Sequence, residues 1–333
     1  MNVGELDLVR TSLREVLRGT DAAALPRALL ESGWSELVDA PGDQTSPPDA
    51  DASSGSDAAA VLALLAQESG RVLANGPVLD LAVVHAVGLP ADDVTAVVLP
   101  PVPARGAVAA CRSGPELEID GLAFAGVGRA KRLLLVTADD AVAVDPAAVT
   151  VSPVGGLDPD LGLLSVRGTV AASESTPLAD RAGAIAATAS ARRFLAGQLA
   201  AIAAVMLDKT VTYVGQRHQY GRAIGSFQAV KHRLADVQVA CSAADDAVAI
   251  AWEDGGYFTA LAAKALAGRA FLTAATHCQQ VHGAIAFTAE HDLHRYVRRG
   301  YVLDALLGSA DDLAWELGER LYASRSVPRL PRL

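Results

Sequence analysis

The sequence predicts a mostly helical α+β chain built from an N-terminal helical domain, a small middle β domain and a C-terminal four-helix bundle. Three observations predict it. Apolar residues recur at helical spacing near the start, short β-rich runs separated by turn residues fill the middle, and long Ala/Leu-rich runs occupy the last half. The expected divisions are 1–92, 93–173 and 174–333.

Leu6, Val9, Leu13, Val16 and Leu17 share one helix face, so the chain opens with an amphipathic helix, and a second follows at ALPRALLESGW. Residues 41–58, rich in Pro, Gly, Ser and Asp, bury too little apolar surface to order themselves and are expected to be a flexible loop. From Ala58 to Val87 the pattern is helical again. Between Val94 and Ala171, runs such as TAVVLP, ELEIDG and RLLLVTA read as strands of a small antiparallel barrel or sandwich. The fragment AGVGRAK lacks the third glycine and the following helix of a dinucleotide loop. Four long helices are then expected over 178–220, 226–253, 257–283 and 292–323, and their short connections imply an up-and-down bundle.

With 333 residues, 51% of them hydrophobic, the chain is long enough for several packed layers. A net charge of −10 without clustered Lys and Arg excludes a nucleic-acid surface. The N-terminal stretch lacks the basic-then-apolar order of a signal peptide, and no uncharged apolar run reaches spanning length, so the expected compartment is the cytoplasm, with no membrane partner. Cys111, Cys241 and Cys278, few and widely spaced, are expected to be reduced packing residues.

Two segments carry residues suited to chemistry. In YVGQRHQYGRAIGSFQAVKHRLAD, Gly221 and Gly225 interrupt a helical pattern and mark a turn that displays Arg217, His218, Arg222, Lys231, His232 and Arg233. Such a turn can hold a phosphate, although composition alone favours a solvated interhelical loop with its usual cations. In QQVHGAIAFTAEHDLHRYVRRG, His282, His291 and His294 lie near Glu290 and Asp292, with His277 upstream. The spacing matches no metal motif, so no metal is expected.

Together, in this order, the two segments resemble the acyl-CoA dehydrogenase family. Its turn reads Arg-x-x-Phe-Gly with a Gln eight residues after the Phe, matched here by Arg217, Tyr220, Gly221 and Gln228. Its later motif, Gln-x-x-Gly-Gly-x-Gly-Phe-Thr, is matched by Gln280, Gly283, Phe287 and Thr288, with Ala284 and Ala286 adding methyl groups where the family usually has none. The resemblance implies an acyl-CoA dehydrogenase-like fold, FAD as cofactor and an acyl-CoA substrate. Arg217, Tyr220 and Gln228 would reach across an interface to the flavin's pyrophosphate and ADP side, with Gln280 and the Gly283 backbone lining the same arm. Arg offers fixed donors for a diphosphate, and glycine lets backbone N–H groups approach closely.

The family's reaction needs a carboxylate to take the proton next to the thioester carbonyl. One usual position lies 27 residues after the motif glutamine and falls on Leu307; the other lies 22 residues before Tyr213 and falls on Ala191, beside Arg192. Both are apolar, so no catalytic base is expected in this chain. The family's Thr-Glu-Pro-x-x-Gly-Ser-Asp segment, which cradles the flavin ring, has no counterpart between Val94 and Ala171. This asymmetry resembles the short, flavin-assisting subunits of two-subunit actinobacterial steroid side-chain acyl-CoA dehydrogenases. It implies a second acyl-CoA dehydrogenase subunit as partner, in an α2β2 heterotetramer, supplying the base. The alternatives are a self-sufficient enzyme with Asp304 or Asp208 as displaced base, and a non-enzymatic scaffold or regulatory subunit.

Overall fold

The computed structural model describes residues 3–20, 24–33, 38, 53–90, 94–103 and 106–326. Among the described residues the first helices are α1 (Val3–Gly19), α2 (Leu25–Glu31), α3 (Ser53–Val72) and α4 (Val78–Ala86). Of the expected loop at 41–58, residues 41–52 lie outside the described residues, whereas 53–58 form the first turns of α3. Helix propagation adds one hydrogen bond per residue fixed, so the Ala/Leu run that follows extends backwards through the serines. The helical stretch expected over 58–87 is two helices, broken at Leu73 and Gly76, both with positive φ.

Eight strands follow: β1 (Thr95–Val98), β2 (Ala110–Ser113), β3 (Glu116–Ala123), β4 (Arg132–Val136), β5 (Ala141–Val144), β6 (Thr150–Pro153), β7 (Leu164–Ala171) and β8 (Thr176–Ala179). They form two four-stranded sheets, ordered β1-β4-β5-β8 and β2-β3-β7-β6, around an apolar cluster that includes Leu117, Leu133, Leu135 and Val166. The expectation of an all-antiparallel domain is corrected: β1 and β4 pair in parallel, Thr95 opposite Arg132. After β1 the chain crosses to the second sheet for the β2–β3 hairpin. It then returns through a 3-10 turn, Ala125–Arg129, entering the first sheet again in the same direction. That turn is the AGVGR fragment.

The bundle consists of α5 (Arg181–Gln216), α6 (Gln228–Asp254), α7 (Tyr257–His282), α8 (Leu293–Ala305) and α9 (Ala310–Ser324). Asp180 caps α5 by accepting from Gly183 N–H at 3.0 Å. α5 is apolar all round because it is surrounded: Phe194, Leu195, Leu199 and Ile202 belong to one core that also takes in Leu25, Leu29, Leu65 and Phe271. By length and composition α5 matches a membrane span, but most of it is buried inside the protein. It packs tightly on α3, where a methyl at Gly70 would lie 2.5 Å from the Gln198 carbonyl oxygen. The fourth expected helix, 292–323, is two helices. Leu307 and Gly308 adopt φ of +57° and +98°, and Ser309 with Asp312 forms a capping box that starts α9.

All three cysteines are free; Cys241 and Cys278 are buried, and burial pushes their thiols up to about 12 and about 11. Cys111, expected to be a packing residue, is instead exposed at β2.

Candidate functional site

Where the first sheet meets the bundle lies a cavity of about 880 Å³. Val97, Val98 and Leu99 come from the β1 side, Ala187 and Ala191 from α5, and Leu307 from the break between α8 and α9. The two usual positions of the proton acceptor, 191 and 307, are 116 residues apart in sequence and line the same cavity. Leu307 is 6% exposed and keeps a left-handed backbone. For a residue with a branched side chain that conformation costs roughly 1–2 kcal/mol, so the surrounding bonds must impose it. Arg192 Nε donates to the Leu307 carbonyl at 3.2 Å, and the buried Lys264 Nζ donates to the carbonyls of Asp304 and Gly308 at 2.9 and 2.5 Å. Burial pushes the Lys264 ammonium down to about 7, against the pull of Asp304.

Neither aspartate considered as a displaced base lines this cavity. The Asp304 carboxylate accepts from Ala310 N–H at 3.1 Å behind the turn; burial raises its pKa and Lys264 opposes the shift. Asp208 lies on a separate groove between α5 and α6, with Leu207, Val211 and Gln238. Among the described residues three carboxylates of α9 line the cavity: Asp312, which accepts from Ser309 N–H and Oγ in the capping box, Glu319, which is exposed, and Glu316, which lies beside Arg192. It accepts from Tyr257 Oη at 2.8 Å, from Arg192 at 3.2 Å and from Arg320 Nε at 3.0 Å, while Arg192 also donates to Tyr257 Oη at 2.7 Å. Burial pushes Glu316 up, but Arg192, Tyr257 and Arg320 outweigh it and hold the carboxyl below its ordinary range. A carboxylate so stabilised is a weak proton acceptor. No local pattern announces this group: Tyr257 and Glu316 are 59 residues apart, and Glu316 with Arg320 reads as an ordinary i,i+4 surface pair.

The second feature lies at one end of the bundle. α5 ends at Arg217, and a two-residue hairpin follows, Gln219 paired with Arg222 across Tyr220 and Gly221, both with positive φ. That backbone suits a type I′ turn, and it holds Tyr220 out at 92% exposure, its ring edge-on to Phe227 at 6.2 Å. Gln228 opens α6. α7 ends at Gly283, whose φ of +68° and ψ of −145° suit glycine alone, with open space where a side chain would project. The structure brings both predicted segments together. Tyr213, in the last turn of α5, stacks on His282 with ring centroids 4.3 Å apart, and Arg233 of α6 reaches His277 of α7 at 3.2 Å. The side chains of Arg217, Gln228 and Gln280 are exposed and hydrogen-bond no other described residue. Ala286 is fully buried in the core, so its methyl faces inward, while Ala284 is exposed.

The histidines are absorbed locally. His282 and His294 bond to the carbonyls of Cys278 and His291, and His291 Nδ1 accepts from Leu293 N–H. Among the described residues no group of three or more His, Cys, Asp or Glu is placed to hold a metal ion.

Comparison with known proteins adds three findings. The family model described as "Acyl-CoA dehydrogenase, C-terminal domain" matches residues 183–320. The acyl-CoA dehydrogenase IpdE2 of Mycobacterium tuberculosis is 32% identical over 268 residues, covering 79% of this chain and 78% of that protein. Among solved structures, the Tcur3481–Tcur3483 steroid ACAD G363A variant superposes with a TM-score of 0.75 at 20% identity, covering 97% of this chain and 99% of the other. The ChsE4–ChsE5 complex from Mycobacterium tuberculosis gives 0.73 at 19% identity, covering 98% and 96%. At those identities the structural likeness shows the fold.

Proposed function

Because the chain belongs to the acyl-CoA dehydrogenase family, we propose that it works as one subunit of a heteromeric, cytoplasmic enzyme whose catalytic base comes from a second, related chain. The family is FAD-dependent and oxidises acyl-CoA thioesters. The observation that carries the proposal is the cavity: both usual base positions line it, and they are Leu307 and Ala191. Neither side chain takes a proton; of the carboxylates at the cavity, Glu316 is held ionised by three donors, Asp312 is engaged by Ser309 in the cap of α9, and Glu319 is exposed.

The residues at the end of the bundle fit the cofactor's phosphate arm. Arg217 presents an uncommitted guanidinium, Gln228 and Gln280 present uncommitted amides, and Gly283 exposes backbone with no side chain in the way. In our reading Arg217 pairs with the diphosphate, Tyr220, Gln228 and Gln280 engage the ADP side, and Gly283 permits close backbone approach. FAD, when bound, would supply the acceptor for the hydride that leaves the β-carbon as the α-proton is removed. This chain's part is to bind and orient the arm and to close one wall of a cavity whose apolar side is Val97, Leu99, Ala187, Ala191 and Leu307. Two observations support a heteromer. The structural neighbours named above each pair two differently named chains. In addition, α6 buries Val237, Cys241, Ala244, Val248, Ala251 and Trp252 and leaves much of the rest of its surface, Val239 included, exposed. We assign an α2β2 assembly and a bulky acyl group such as a steroid side-chain CoA thioester, for which an apolar-floored cavity of about 880 Å³ has room.

The test is co-expression with the candidate partner, measuring flavin per chain and acyl-CoA oxidation, with and without Arg217→Ala. We expect turnover from the complex alone. Removing the charged donor should weaken FAD binding by about 1.5–3 kcal/mol, roughly ten- to a hundredfold. Turnover by the isolated chain, fully loaded with flavin, would overturn the reading. Unchanged flavin content in the Arg217→Ala complex would leave the chain as a scaffold. One observation favours a second reading, a homomeric enzyme with a displaced base: Glu316 is in the cavity. It predicts that Glu316→Gln abolishes turnover of the isolated chain while flavin content stays unchanged.

A further inference from the structure

We propose that His282 is a positioning residue for the cofactor arm, its ring fastening the turn that carries Arg217 to the turn that carries Gln280 and Gly283. This rests on the assignment of those residues to FAD. The two turns come from different helices, and their separation must be fixed for both to hold one ligand. The last turn of α5 closes with Arg217 N–H donating to the Tyr213 carbonyl at 2.9 Å. The Tyr213 ring lies flat on His282, 4.3 Å between centroids and 17° between planes. His282 in turn is the final residue of α7, immediately before Gly283. One ring pair therefore ties the two helix ends at the residues adjoining the proposed contacts. His291, from the segment before α8, adds an edge contact to both rings, at 4.7 Å to His282 and 6.2 Å to Tyr213.

The choice of histidine, rather than a hydrocarbon of similar size, is the informative point. His282 is 5% exposed, and its Nδ1 lies 2.9 Å from the Cys278 carbonyl, so Nδ1 carries the proton and Nε2 is a bare acceptor. Nε2 is buried with no partner among the described residues. An apolar ring would fill the space without that desolvation cost. The ionisable groups around it are Tyr213 of α5, Cys278 of its own helix and His291, whose neighbour Asp292 is engaged by Lys209 of α5 at 2.8 Å. None of these is bonded to Nε2. Protonation therefore creates a buried charge and an N–H without an acceptor, beside a second imidazole, a cost greater than the cation–π attraction of the Tyr213 face, and so weakens the fastening. Burial, opposed by the Cys278 bond and aided by His291, keeps the imidazole neutral below its ordinary range. The fastening is intact at neutral pH and weakens on acidification.

The test uses the assembled complex stripped of flavin and titrated with FAD, followed by quenching of flavin fluorescence between pH 5.5 and 7.5. His282→Phe keeps a stacking ring and cannot titrate; His282→Ala removes the ring. At pH 7.5 we expect His282→Ala to bind FAD roughly three- to tenfold more weakly, and His282→Phe to restore wild-type affinity. We also expect wild-type affinity to fall towards pH 5.5 relative to His282→Phe. Wild-type affinity in His282→Ala, or the same pH profile in wild type and His282→Phe, overturns the proposal. If His282→Ala does not assemble, the comparison of wild type with His282→Phe decides alone. Arg217→Ala is run beside them. Release of FAD by that variant with no effect at His282 defeats this inference only, whereas no effect at either position defeats the cofactor assignment itself.

Discussion

Lys264 has 0% exposure, and its ammonium holds the Asp304 and Gly308 carbonyls on either side of Leu307. Its charge is tolerated because those carbonyls and the Asp304 carboxylate face it, but burial still brings its pKa down to about 7. The unfolded chain keeps that proton up to the ordinary value near 10.5. Between these limits the unfolded state binds more protons, so stability should rise with pH. The raised thiols of Cys241 and Cys278 act in the opposite sense above about pH 9, so the clean window is roughly pH 7–9. We predict that urea unfolding across this window shows wild type gaining stability relative to Lys264→Met. Parallel profiles would mean that Lys264 titrates elsewhere. At this scale the sequence was informative about position and silent about surroundings. Leu307, 27 residues after Gln280, and Ala191, 22 residues before Tyr213, line one cavity. The Tyr257–Glu316–Arg192 group was invisible because its members meet only through folding.

At the scale of elements, apolar periodicity located the bundle helices because α5 to α8 each send side chains into the main core, while α9 packs Leu313 against Leu261 of α7 in a smaller cluster. Their close contacts depend on small residues. Where α7 crosses α8, a methyl at Gly300 would lie 2.0 Å from the Phe271 ring. Gly300→Ala should therefore destabilise the protein by about 1–3 kcal/mol through overpacking. Adding Phe271→Leu should return part of that loss, and strictly additive thermal shifts would refute the close contact. The break after α8 shows why a periodic pattern alone misplaced an element boundary. Leu306 and Leu307 continue the apolar rhythm, yet Gly308 and the Ser309–Asp312 cap end one helix and begin another. The parallel β1–β4 pair was out of reach for a different reason. Strand residues specify burial, while direction depends on the path taken between strands.

For the whole molecule, a buried arginine joins the three regions. Arg299 of α8 donates to the Ala74 carbonyl at 2.8 Å and to Asn75 Oδ1 at 2.5 Å between α3 and α4, and it pairs with Asp158 from the loop after β6. Both Arg299 and Asp158 side chains are nearly excluded from water. Removing one partner leaves a buried charge, so Arg299→Met should cost about 3–5 kcal/mol. The loss should appear both as a lower guanidinium midpoint and as faster proteolysis between β6 and β7. An unchanged midpoint would show that the three regions are held by apolar packing alone. The apolar core itself runs without interruption from the N-terminal helices into the bundle, while the β sandwich keeps its own.

The sequence by itself determined the order of helices and strands, the mostly helical class, the family and the replacement of both usual base positions by apolar residues. These are properties of local pattern and of spacing along the chain, which survive without coordinates. Only the tertiary structure decided that positions 191 and 307 share a cavity, that Asp304 and Asp208 lie outside it, and that Tyr213 and His282 bring the turns of Arg217 and Gln280 to one end of the bundle. The physical reason is that contacts between residues far apart in sequence depend on helix crossing and chain path. In this protein the long central helix α5 is apolar on every side, so its composition does not say which face meets which neighbour.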